Sequence, residues 1–181
     1  MVEEVRYDIW QKERVFVRPV EGKYSEIFEK IFTQPRVFKS KKIRSTGGPV
    51  NFNKFIISPQ ITSAPIVTQA IESHILTITP DGKSQKHGHM NSAVVYVLEG
   101  RGYEIHDGER LDWQAGDAFI IKNGCVHQHF NSDPNHPAKA IVIKSKPLFM
   151  FFNLAFQRTV EWPPDKAPPG WEGWNPDEGQ T

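Results

Sequence analysis

The chain has 181 residues, enough for one domain with a sizeable core. Its formal net charge is +1, with 22 Lys and Arg against 21 Asp and Glu, which argues against a nucleic-acid-binding surface. The first ten residues do not resemble a secretory signal, and no segment has the roughly 18 apolar residues needed to cross a bilayer. Because Cys125 is the single cysteine, no intrachain disulfide can form, and we expect a soluble cytoplasmic protein.

Residues 1–70 have an irregular pattern and are predicted to form an N-terminal arm. Within them, residues 24–34 carry apolar side chains at helical spacing, with Ser25 as a candidate N-cap and Pro35 as the end of the helix. Residues 46–49 are predicted to form a turn or a flexible loop. No domain boundary is visible here, so we expect the arm to belong to the same domain as the residues that follow it.

Residues 71–154 are predicted to form the core of a β-barrel. Short apolar or alternating runs recur about every 8–12 residues between Gly, Asp, Asn and Pro, which is typical of an all-β sandwich or barrel. Asp107 and Gly108 tolerate positive φ and predict a hairpin, and residues 115–117 predict a second turn. The predicted strands are 71–79, 93–98, 102–106, 118–122, 126–130, 140–144 and 148–154.

Residues 155–181 are predicted to form an extended tail. Residues 161–176 contain five prolines and three tryptophans and show almost no periodicity. Proline lacks the amide donor that a sheet needs, so a regular strand is not expected through this stretch. The tryptophans indicate that the tail lies against the barrel.

Two groups of histidines point to metal binding. His87 and His89 are separated by one residue, and in a strand such residues face the same side. About forty residues later, Cys125, His127 and His129 alternate in the same way. Two antiparallel strands of a small barrel can bring the two groups together. Neutral imidazole is a suitable ligand for Fe(II), Mn, Ni, Cu and Zn.

This stretch resembles the two characteristic motifs of the cupin superfamily, over roughly residues 75–145. The first motif is H-x-H, a Glu after three or four residues, and a Gly after six more. His87, His89 and Gly100 occupy these places, and Ala93 stands where the Glu is expected. In the second motif four residues match and Lys122 replaces a proline; the matching residues are Gly116, Gly124, His127 and Asn131.

The resemblance implies a single small cupin barrel, a double-stranded β-helix or jelly roll, over residues 1–181 with the arm and the tail attached. It implies a divalent metal on His87, His89 and His127. Because Ala93 has no donor atom, the site resembles that of the three-His cupins of the gentisate and salicylate dioxygenase type. Fe(II) is then the favoured metal, with Mn, Ni, Cu or Zn as alternatives.

The resemblance to that type implies a dioxygenase. Its expected substrates are dioxygen and a small anionic chelating molecule, such as an aromatic hydroxy acid. A homodimer is also expected, because arms of this kind often pair with a neighbouring subunit. Two alternatives remain open. One is a non-oxidative metal cupin, either an isomerase or a lyase, in which the metal acts as a Lewis acid. The other is a non-catalytic cupin that binds a small molecule.

The remaining candidates have less support. His129 is the predicted catalytic acid or base, because imidazole titrates near neutral pH, although a buried structural histidine is the alternative. Cys125 could lie beside the pocket, but a lone cysteine on an apolar face more often serves packing. The other three histidines lie outside the motifs and are predicted to be structural or solvated; they are His74, His106 and His136.

Overall fold

Two antiparallel β-sheets form the molecule, as the alternating pattern predicts, and the all-β expectation is confirmed. The computed structural model describes residues 33, 36–58, 70–152 and 154–178. The six-stranded sheet has the order β1-β2-β3-β10-β5-β8 and the five-stranded sheet β11-β4-β9-β6-β7. The strands are β1 Ser45–Gly47, β2 Asn51–Ile57, β3 Glu72–Ile78, β4 Lys86–His89, β5 Ala93–Glu99, β6 Arg101–His106, β7 Glu109–Gln114, β8 Ala118–Ile121, β9 Val126–Asn131, β10 Ala138–Lys144 and β11 Gln157–Glu161.

The apolar core lies between the two sheets. In β5 the burial alternates residue by residue, so that Ala93, Val95 and Val97 point inward. They pack with inward residues of the neighbouring strands and with Trp113 of β7; these neighbours are Leu76, Ile78, Ile121, Ala138, Ala140 and Val142. This packing and the strand pairing hold the sandwich together.

The predicted turns lie where the sequence places them. Asp107 and Gly108 have φ values of 48° and 92° and join β6 to β7 as a hairpin. Gly116 has a φ of 94° in the second turn, and the turn at residues 46–49 joins β1 to β2. These positions carry the residue types that tolerate positive φ, which explains why the turns could be predicted.

One predicted strand is wrong. Residues 148–154 were expected to be extended, but Lys146–Phe151 form a short α-helix, α1. Pro147 lies in its first turn, where the missing amide costs nothing and the fixed φ favours a helix. The sequence pattern also missed β7, because five of its six residues are exposed at the edge of the second sheet.

The sheets extend beyond the predicted core into the arm and the tail. Strands β1 and β2 continue the first sheet, and β11 pairs with β4 at the edge of the second. Further along the tail, Asp177 accepts hydrogen bonds from the Ser45 amide at 2.6 Å and from Lys54 Nζ at 3.1 Å. The Trp174 ring meets Phe52 edge-on, with centroids 5.7 Å apart, so the tail lies against the sandwich as expected.

The predicted helix at residues 24–34 lies outside the described residues, apart from Thr33. Within the described part of the chain, no helix is long and apolar enough to cross a membrane.

Candidate metal centre

Strands β4 and β9 bring three histidines together. His87 lies directly opposite His127 in the antiparallel pair, and His89 follows on the same face of β4. Gly88 between them faces the other side, where a Cβ would lie 3.2 Å from Val126 Cγ2. One ring nitrogen from each histidine lies within 4.8 Å of the others. The ring centroids are 4.4 Å apart for His87 and His127, 4.8 Å for His89 and His127, and 5.3 Å for His87 and His89.

The backbone orients all three rings in the same way. In each histidine Nδ1 lies near the carbonyl oxygen of a residue two positions away, at 3.3 Å for His87, 2.7 Å for His89 and 3.2 Å for His127. With Nδ1–H donating to the carbonyl, Nε2 keeps its lone pair and can bind a metal ion. The donor set therefore fits a divalent metal that accepts imidazole ligands.

Burial keeps these imidazoles neutral. It lowers the pKa of His87 to about 3, with further lowering by His89 and His129. It lowers the pKa of His89 to about 4, with further lowering by Lys144 and Lys146. The pKa of His127 falls further below its usual range, again mainly through burial and then through His129 and His87. Neutral imidazole is the form that binds a metal, so no proton has to leave these rings at neutral pH.

Position 93 supplies no fourth ligand. Ala93 is buried in the core, where it lies opposite Ile121 on one side and Lys144 on the other. Among the described residues, the group of donors that could hold an ion contains three histidines and no carboxylate.

A buried carboxylate holds His129. The Nδ1 of His129 lies 2.6 Å from Oε2 of Glu104, at an angle outside that of a regular hydrogen bond. The Trp113 indole donates to Oε1 of the same carboxylate at 2.9 Å. This arrangement depends on Gly102, because a Cβ there would overlap both the Phe130 carbonyl and the Trp113 ring.

Burial alone would raise the pKa of Glu104, but the interactions of its carboxylate with His129 and His106 outweigh this effect and lower the pKa. The carboxylate is therefore charged at neutral pH inside an apolar sandwich. A charged group in such a place needs close partners, and both of its oxygens have them.

Sequence reasoning missed Glu104 and its contact with His106, a residue predicted to be structural or solvated. His106 Nε2 lies 3.6 Å from Glu104, and the His106 ring centroid is 6.0 Å from that of His127, because the two residues are paired across β6 and β9. Glu104 and His106 follow Gly102 at alternate positions of β6, and this inward parity is the signal that could have identified them.

Other candidates serve the fold. His136 is exposed and His74 is buried against Phe55, in agreement with solvated and structural roles. Burial raises the pKa of the Cys125 thiol to about 11, so this cysteine is a poor nucleophile. Asn131, the last residue of the second motif, donates from one amide nitrogen to the carbonyl oxygens of three residues, which are Ile78, Thr79 and His136.

The interior beside His129 is small. Glu104 and His129 line a cavity of about 10 Å³ together with apolar core residues. Such a volume holds about one water molecule, so an aromatic substrate cannot bind there.

Comparison with known proteins agrees with this architecture. The family model described as the cupin domain matches residues 74–144. The 5-aminosalicylate 1,2-dioxygenase of a Comamonas species is 25% identical over 89 residues, which is 49% of this chain and 24% of that enzyme. The chain thus spans about a quarter of the length of this curated relative.

Solved structures of similar fold include two of the salicylate 1,2-dioxygenase of Pseudaminobacter salicylatoxidans. One has a TM-score of 0.56 at 14% identity and covers 75% of this chain and 35% of the enzyme. The second, an adduct with gentisate, has a TM-score of 0.56 at 13% identity and covers 78% of this chain and 35% of the enzyme. The hazelnut (Corylus avellana) vicilin has a TM-score of 0.52 at 18% identity and covers 62% of this chain and 33% of the vicilin chain. Residues 74–144 of this chain thus match the cupin-domain model, and the structure adds two antiparallel sheets and a cluster of three histidines.

Proposed function

We propose that this protein is a metal-dependent dioxygenase, with Fe(II) as the favoured metal, that acts on a small anionic chelating substrate of the aromatic hydroxy acid type. The observation that carries the proposal is the cluster of three neutral imidazoles, which no carboxylate joins among the residues that the structure describes. His87, His89 and His127 would hold the metal through Nε2. Three neutral ligands leave the full charge of a divalent ion uncompensated, which favours an anionic chelator.

A bound Fe(II) would supply the redox chemistry with dioxygen that amino-acid side chains lack. The protein contributes the position of the ligands, through β4 and β9, and a mostly apolar interior that limits access of water. His129 is the proposed proton-handling residue. With Nδ1 held by Glu104, the Nε2 atom is the one that can give or take a proton.

The distant relatives support this reaction class. The similar enzymes are 1,2-dioxygenases of salicylate and 5-aminosalicylate, and one of the similar structures is an adduct with gentisate. These compounds are aromatic hydroxy acids and fit the class of substrate proposed from the donor set. The non-oxidative isomerase or lyase and the non-catalytic binding protein remain the alternatives that an experiment has to separate.

Dioxygen uptake tests the proposal. The protein is loaded with Fe(II) or with Zn(II) and assayed against a panel of hydroxybenzoates, diketones and thiols. We expect uptake with Fe(II) and an anionic aromatic substrate, and none with Zn(II), which has no accessible redox state. The variant His127→Ala serves as the metal-free control. Absence of uptake throughout the panel, together with turnover of a sugar or keto acid under argon, would establish the isomerase or lyase alternative.

A further inference from the structure

The outer face of β10, β5 and β8 carries exposed apolar side chains. In β5, Val94, Tyr96 and Leu98 alternate with the buried core residues and therefore point away from the second sheet. Val94 lies opposite Ile143 of β10 on one side and Ile120 of β8 on the other, and directly opposed residues share a face. These five residues are between 41% and 61% exposed, and they form one continuous apolar face across three strands.

The chain itself covers the other half of the same outer face. Phe52 and Lys54 of β2 pair with positions of β3 that alternate with its core residues, so both point outward. Both are buried all the same, because Trp174 meets the Phe52 ring and Asp177 binds Lys54. Among the described residues, no segment covers the half formed by β10, β5 and β8 in this way. A solvated face of an antiparallel sheet ordinarily carries polar residues, so the bare apolar half indicates a surface that a partner covers.

The size of this apolar face suits a protein partner. With about half of each side chain exposed, the five residues present roughly 400 Å² of apolar surface, and patches of this size on monomers are often functional. A standard interface buries about 800 Å² on each partner and has an apolar centre with a polar rim. The apolar face supplies such a centre, and the ion pair of Lys139 and Glu99 lies at its edge.

Opposite charges at the two ends of β8 make the face complementary to itself. Asp117 immediately precedes the strand and Lys122 immediately follows it, and both are exposed. A two-fold axis that sets the strands of two copies antiparallel places the apolar face against itself and brings Asp117 of each copy towards Lys122 of the partner subunit. A parallel arrangement would bring like charges together, which costs free energy. The charges therefore favour a second copy of the chain in one orientation.

We propose that the outer face of β10, β5 and β8 is the interface of a homodimer, in which two copies of this chain pack face to face with their strands antiparallel. Sheets that pack in this way lie about 10 Å apart, with strand directions within about 30° of each other. The homodimer expected from the sequence was an arm-mediated one, whereas β8 lies at the edge of the six-stranded sheet opposite to β1. The three histidines lie on β4 and β9 of the five-stranded sheet, so each copy keeps its own cluster.

Sedimentation velocity at a series of protein concentrations tests the inference. We expect the wild-type protein to reach twice the 20.7 kDa mass of one chain as the concentration rises. Ile120→Lys places an ammonium group within the apolar face and should raise the dissociation constant of the dimer by about 100-fold or more. Val160→Lys makes the same kind of change at a residue that is 57% exposed on β11 of the other sheet, and should leave the dissociation constant unchanged.

The arrangement of charges has a test of its own. Lys122→Glu makes both ends of β8 negative and should raise the dissociation constant by about tenfold at low salt, with a smaller effect at high salt. Lys166→Glu, the same change at an exposed residue of the tail, is the matched control. Because Lys122 is exposed, this variant decides the question if Ile120→Lys does not fold.

A wild-type protein that stays monomeric at every concentration would overturn the inference. So would a dimer that Ile120→Lys leaves intact, or one that Val160→Lys disrupts equally, because its interface would lie elsewhere. An unchanged dissociation constant in Lys122→Glu would overturn it by refuting the antiparallel arrangement. These measurements are independent of metal content and turnover, because no residue of the interface belongs to the histidine cluster.

Discussion

The contact between Glu104 and His129 leads to a sharp prediction for Glu104→Gln. In the wild-type protein two lone pairs at 2.6 Å would repel each other, so His129 Nδ1 carries a proton that faces the carboxylate. Trp113 fixes which way the glutamine lies, since its indole N–H needs the carbonyl oxygen. The glutamine NH₂ then faces Nδ1, which has to become an acceptor. The proton of a neutral His129 therefore moves to Nε2.

The energetic cost follows from the contacts. The variant loses the charge-assisted contact with His129 but retains the bond to Trp113, so we expect the free energy of unfolding to fall by about 1–2 kcal/mol at neutral pH. The pKa of Glu104 is below its ordinary value, so its stabilisation is present at neutral pH and is lost as the pH falls through the acid range. The glutamine variant should lack this part of the acid sensitivity.

Nitrogen-15 NMR of the histidine side chains in the zinc-loaded protein reports the tautomer of His129 directly. We expect Nδ1–H in the wild type, Nε2–H in Glu104→Gln, and unchanged zinc content. With Fe(II), turnover should fall by about 10–100-fold, the size typical for loss of a residue that orients a functional histidine. Glu109→Gln, an exposed change on β7, should alter none of these quantities. The same tautomer and full turnover in Glu104→Gln would refute the positioning role.

Three further predictions concern the metal and the pH. The variants His87→Ala, His89→Ala and His127→Ala should each lose most of the bound metal. Their circular dichroism spectra should stay those of the wild type, because strand pairing and packing hold the sandwich together. Full metal occupancy in any of them would contradict the assignment, and His136→Ala, a change at an exposed residue, is the control. Ala93→Glu should tighten divalent metal binding and reduce turnover by filling an open position, and an unchanged metal affinity would show that residue 93 does not face the metal. The metal-free protein should be less stable to urea at pH 5 than at pH 7. The pKa values of His87 and His89 are about 3 and about 4 in place of 6.5, so both rings stay neutral in the folded protein while those of the unfolded chain take up protons. This difference lowers the free energy of unfolding by at most about 2 kcal/mol for each histidine. Equal stability at the two pH values would contradict their burial as neutral groups.

Local patterns in the sequence were enough to predict the all-β class, the hairpin at Asp107 and Gly108, and the proximity of His87, His89 and His127. Each of these depends on a short-range rule. Alternation assigns side chains to one face of a strand, and positive φ restricts turn positions to a few residue types. A family motif that spans two strands then joins the two histidine groups.

Only the tertiary structure decided which strands are neighbours and in what register. Glu104 faces His129 because β6 pairs with β9. Gln157 faces His89 because β11, from the tail that was predicted to be extended, pairs with β4. An alternating pattern specifies the face of a residue but not the strand beside it, since pairing of segments far apart in the chain depends on the whole packed sandwich. For the same reason, the buried ion pair of Glu72 and Lys144 could be identified only from the folded chain.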